Sequence, residues 1–106
     1  MNKQRRAAIA AIIEILRRAE NNADEINRAL DDTRDVLEEE QECLDNMPEN
    51  LEGSERYEML EDAVSYLEDA AGCLEDAIEY LEEEFDRGKA GDSIADAIEN
   101  LENAME

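Results

Sequence analysis

Apolar residues recur at alternating steps of three and four along almost the whole chain, and this heptad spacing is the strongest constraint on its fold. From Ile9 the series runs through positions 12, 16, 19, 23, 26, 30, 33, 37, 40, 44 and 47, polar only at Thr33 and Glu40. A second series, Tyr57, Leu60, Val64, Leu67, Ala71, Leu74, Ile78, Leu81 and Phe85, has no polar interruption. Within it Leu-Glu-Asp-Ala begins at Leu60, Leu67 and Leu74, a seven-residue duplication of the kind that builds coiled-coil helices. With only one Pro, four Gly and 4% aromatic residues, a β-sandwich or barrel has little to build its turns and strands from.

The spacing predicts one all-α domain over residues 1–106. Its expected parts are a helix over 3–46, a connection over 47–53, a helix over 54–87, a turn over 88–92 and a short helix over 93–105. Pro48 disfavours helix before it, Gly53 permits an unusual backbone angle, and Ser54 is a good N-cap. Gly88 and Gly91 mark the second break, and Ser93 with Asp96 resembles a capping box. Asn21-Asn22 is weak in helix propensity, but the register passes through it, so the first helix is expected to continue. The fold class expected is a long antiparallel, coiled-coil-like helical hairpin with a short third helix.

In this arrangement the first fifteen or so residues overhang the second helix, and that overhang is apolar on nearly every side. The second helix also carries a second stripe, Met59, Tyr66, Cys73 and Tyr80, with Ala63, Ala70 and Ala77 between the two stripes. Together these faces predict a self-associating bundle, a homodimer before higher oligomers, formed through Ile9, Ile12, Ile13, Leu16, Met59, Tyr66 and Tyr80; the alternative is a monomeric three-helix bundle with a frayed N-terminus. Thr33 and Glu40 at core positions either fix register or sit where water reaches them. Cys43 and Cys73 fall about 22 Å apart along the hairpin at 1.5 Å per residue, beyond disulfide reach, which suits reduced thiols in a cytoplasmic protein.

Charge is unevenly spread. The net of −22 divides into +4 over residues 1–18 and −26 over 19–106. The expected hairpin carries −21 along about 48 Å, or about one charge per 2.3 Å, approaching the one per about 1.7 Å of duplex DNA. Glu61-Asp62, Glu68-Asp69, Glu75-Asp76 and Glu82-Glu83 repeat every seven residues. The sharp reading is a rod of carboxylates that occupies the basic groove of a nucleic-acid-binding protein; the bland reading is a solvated face that keeps a small bundle soluble. Direct nucleic-acid binding is not expected with this charge, and no apolar run is long enough for a bilayer.

The absence of histidine removes triad, di-iron and His-ligated zinc chemistry. Two cysteines are too few for a closed thiolate zinc site, and no phosphate-binding glycine loop or EF-hand occurs. No enzyme, cofactor or metal site is expected. Arg5, Arg6, Arg17 and Arg18 form a candidate anion site for a phosphate-bearing ligand, or simply answer the acids of a neighbouring subunit.

The connection Pro48-Glu49-Asn50-Leu51-Glu52-Gly53-Ser54-Glu55-Arg56-Tyr57 and the acidic heptads after it resemble those of small uncharacterised acidic helical proteins of bacteriophages and bacterial mobile elements. The likeness covers about residues 41–85, and Glu52 stands where Gln is usual in that group. It implies no residue role. It implies a setting: a small cytoplasmic phage accessory protein, in company with inhibitors of host enzymes. Three functions follow as expectations: an acidic protein that engages or inhibits a basic partner, a structural or assembly module, and an oligomeric sponge for a phosphate-bearing signal nucleotide.

Overall fold

The computed structural model describes residues 1–19, 22–48, 50, 53–83 and 85–105. The described residues form four α-helices: α1 Lys3–Arg18, α2 Ala23–Asp45, α3 Glu55–Glu82 and α4 Arg87–Ala104. The all-α expectation holds, and among the described residues there is no strand.

The expected single helix over 3–46 is two helices. Ala19 closes α1, and its backbone N–H donates to the Leu16 carbonyl. Asn22 then sits in extended conformation as the N-cap of α2, its side chain accepting from the N–H groups of Asp24 and Glu25. The flanking charges fit the break. Arg17 and Arg18 occupy the last turn of α1, and Asp24 and Glu25 the first turn of α2, each favourable at that end of a helix dipole.

Packing gives the break its energy. α1 returns along α2, so that Arg5 near its start meets Glu40 near the end of α2. Ile9, Ile12, Ile13 and Leu16, expected on a self-associating overhang, are buried inside the chain. At about 1.5–3 kcal/mol per side chain, those four contribute about 6–12 kcal/mol as an upper estimate. The helical hydrogen bonds given up at the break are worth about 1 kcal/mol each, and the Asn22 cap restores part of them.

The second departure lies before α4. Gly88 and Gly91 are inside this helix, not in a turn, and Asp86 rather than Ser93 is its N-cap, accepting from the Lys89 N–H at 3.0 Å. The buried face of α4 explains the earlier start: Ala90, Ile94, Ala97, Leu101 and Ala104 keep a heptad that begins before Ser93. α3 correspondingly stops at Glu82 instead of 87. Phe85, expected as the last core position of that heptad, lies outside the helix at φ +53° and is 83% exposed.

α3 packs on α2 and α4, and α1 on α2 and α4, giving a bundle of 50 × 21 × 17 Å. Pairs of Cys73 with Asn100 and Tyr80 with Lys89 set an antiparallel register between α3 and α4. Ala63, Ala70 and Ala77 of α3 and Ala90, Ala97 and Ala104 of α4 each recur at seven-residue spacing. All six are buried. The alanines that widened the apolar face of the second helix are therefore a seam against α4. Tyr80 and Cys73 of the second stripe are half-buried beside this seam, whereas Met59 and Tyr66 remain 46% and 37% exposed.

Candidate partner-binding surface

Seven residues of helix advance about 10.5 Å and nearly two full turns, so the repeated acid pairs of α3 form a ladder on one side. Glu61, Asp62, Glu68, Asp69, Glu75, Asp76, Glu82 and Glu83 are all exposed, the last being the C-cap of the helix. Among the described residues, only Glu75 of these eight has an ion-pair partner: Arg34 of α2, 2.7 Å away. Both side chains are about half exposed, so the bond is worth under about 1 kcal/mol and the ladder is left essentially uncompensated.

α4 enlarges this surface. A broad open groove of about 530 Å³ runs between α3 and α4, with Glu68, Asp69 and Asp76 on one wall and Asp96 and Glu99 on the other. Cys73 lies in it, and its thiol is pushed above the ordinary thiol range, first by burial, then by the negative charges of Asp96 and Asp76. Asp96 and Glu99 are contributors that reading the second helix alone misses. Their signal was present in the four-then-three spacing of Asp92, Asp96 and Glu99 on the polar side of the α4 heptad. A net charge of −22 over a 50 Å long axis is about one charge per 2.3 Å.

The arginines do not form one cluster. Arg5 and Arg6 stand at the start of α1 and Arg17 and Arg18 at its end, about 18 Å away along the helix. Arg5 Nε donates to Glu40 Oε1 at 2.6 Å and its Nη2 to Cys43 Sγ at 3.1 Å. Arg6 Nε donates to the Met105 carbonyl, Arg17 faces Glu102 at 3.7 Å, and Arg18 Nε donates to the Glu14 carbonyl of its own helix. A four-arginine anion site is therefore not assembled within the chain.

Glu40 is fully buried, as is Thr33, whose hydroxyl donates to the Ala29 carbonyl at 2.7 Å. Neither residue is at a watered edge. Both cysteines are free thiols. Among the described residues, no group of acidic or thiol side chains is arranged to hold a metal ion, and no helix is long and apolar enough to cross a membrane. Comparison with known proteins gives no matching family model, no matching curated protein and no matching solved structure.

Proposed function

We propose that the chain is a non-enzymatic acidic binding protein whose α3–α4 surface engages a basic partner, one with a cationic groove for nucleic acid. The observation that carries this reading is the ladder of eight exposed α3 carboxylates, of which only Glu75 is paired among the described residues. Solubility needs a net charge of only about 2–8 on a small domain, far below 22. The excess costs stability through self-repulsion, and a partner that supplies the missing cations offsets that cost on binding. A phage setting, in which the protein inhibits a host enzyme, accords with the resemblance of the 48–57 connection and is part of the same proposal.

Affinity capture on the immobilised protein tests it. Basic nucleic-acid-binding proteins should be retained at low salt, released as salt rises, and displaced by duplex DNA. Glu68→Lys with Asp69→Lys, Glu75→Lys and Asp76→Lys should abolish retention; unchanged retention would reject the acidic surface as the binding site.

Self-association is a second reading. With Ile9, Ile12, Ile13 and Leu16 inside the chain and Tyr80 half-buried, it rests on Met59 and Tyr66, one heptad apart and both exposed. A homodimer through that stripe should dissociate in Met59→Lys with Tyr66→Lys, read by sedimentation velocity.

A further inference from the structure

The acidic surface leaves the opposite chemistry unexplained at one end of the bundle. There the start of α1, the end of α2 and the start of α3 enclose a cleft of about 560 Å³. That is within the range of small-molecule sites, about 300–1,000 Å³. Arg5, Arg6 and Arg56 line it, and none of the described residues lining it is acidic, in a chain with 32 acids among 106 residues. The described residues lining this cleft thus differ in charge from those lining the α3–α4 groove.

We infer that this cleft is a binding site for a phosphate monoester with an organic body of about nucleotide size. Guanidinium groups present paired donors that match the oxygens of a phosphate. Arg5 is held in place by Glu40 and Cys43. Arg6 uses its Nε on the Met105 carbonyl, leaving both Nη groups without a partner among the described residues. Arg56 is exposed and has no partner among them. Asn2 and Arg56, the N-cap of α1 and the second residue of α3, bring two helix N-termini to the same cleft, where their first-turn N–H groups add positive potential against the negative C-terminal end of α2. Met47, Pro48, Met59 and Leu60 give the remaining wall an apolar face for the organic body. The acids elsewhere on the bundle repel an anion at long range, but at 0.15 M salt that repulsion is screened beyond about 8 Å.

This site is independent of the acidic surface and differs from a four-arginine site by replacing Arg17 and Arg18 with Arg56. The full chain labelled with ¹⁵N is titrated at 0.15 M salt with adenosine 5′-monophosphate, inorganic phosphate and adenosine. The nucleotide should shift the Arg6 and Arg56 Nε–H signals at lower concentration than phosphate does, and adenosine should shift neither. Arg6→Gln with Arg56→Gln should weaken nucleotide binding at least about tenfold; both residues are exposed, and an unchanged melting curve confirms that the variant folds. Three results would overturn the inference: no shift with the nucleotide, equal shifts with adenosine, or binding that survives the double substitution. So would sedimentation showing a dimer lost in Arg6→Gln with Arg56→Gln, because carboxylates of a second copy would then be the occupant.

Discussion

Arg5 and Glu40, 35 residues apart in sequence, are joined by a charge-assisted hydrogen bond of 2.6 Å between guanidinium Nε and carboxylate Oε1. The Glu40 side chain is fully buried and that of Arg5 only 14% exposed. The pair ties the first turn of α1 to the last turns of α2, and it reconciles a polar heptad position with a buried one. The second carboxylate oxygen, Oε2, is buried without a hydrogen-bond partner among the described residues but faces the Met1 ammonium at 3.9 Å, so Arg5 makes the closer of two charge contacts to Glu40.

Removing one member should therefore cost more than removing both. Arg5→Ala is expected to destabilise the bundle by up to about 3–5 kcal/mol, because it leaves the buried Glu40 carboxylate only the Met1 ammonium at 3.9 Å. Arg5→Met with Glu40→Met should lie within about 1–2 kcal/mol of the parent, since apolar replacement of a buried pair is often neutral or better. Urea unfolding of the two variants and the parent checks the order.

Asn22 gives a test with opposite signs for the two possible backbones. As the N-cap of α2 it accepts from Asp24 N–H at 3.0 Å and Glu25 N–H at 3.4 Å. Asn22→Ala should cost about 1 kcal/mol, and Asn22→Asp should be close to neutral. In a continuous helix the same alanine would stabilise, because alanine has the higher helix propensity. Thermal melts of the two variants decide the sign.

Gly91 does the same for α4. It is exposed within the helix, and a methyl group there would meet nothing within 4 Å. Gly91→Ala should add about 0.8–1 kcal/mol, raising Tm by about 4–8 °C per kcal/mol for a domain of this size. A fall in Tm would restore the turn that the glycines suggested.

The thiol of Cys73 carries a pH signature. Burial and the carboxylates of Asp96, Asp76 and Asp69 raise its pKa, opposed in part by a hydrogen bond from Asn100. Its alkylation at pH 8 should be slower than that of a thiol in a short peptide, and Asp96→Asn with Asp76→Asn should speed it. Linkage fixes the sign for stability. A thiol pKa raised on folding contributes stability that is whole below the ordinary thiol range and is lost as pH rises through the raised value. Mass-spectrometric alkylation rates against pH measure the first effect.

How far the sequence disclosed this fold depends on which residues are asked. The helices and their buried faces were legible, because heptad spacing reports burial directly: Leu60, Val64, Leu67, Ala71 and Leu74 are all buried. The break at Asn22 was hidden by the same spacing, since two antiparallel helices can each keep the heptad phase that one long helix would keep. The signal that broke the tie was electrostatic: Arg17-Arg18 before the asparagines and Asp24-Glu25 after them. Gly88 and Gly91 misled in the other direction, because glycine on the exposed side of a helix is tolerated when the opposite face packs as well as Ala90, Ile94 and Ala97 do. The acidic ladder was legible residue by residue. Its second wall on α4, and the gathering of Arg56 with Arg5 and Arg6, were not, because both depend on which helix ends meet.

The return of α1 along α2 decides all of this, and the distance between residues 4 and 39 measures it. Gln4 and Glu39 are exposed neighbours of Arg5 and Glu40. With Cys43 and Cys73 replaced by alanine, spin labels at Gln4→Cys and Glu39→Cys should give a narrow distribution near 20 Å or below by pulsed electron paramagnetic resonance. A continuous helix would place the same labels about 52 Å apart, at 1.5 Å per residue, and a peak there would contradict the fold-back.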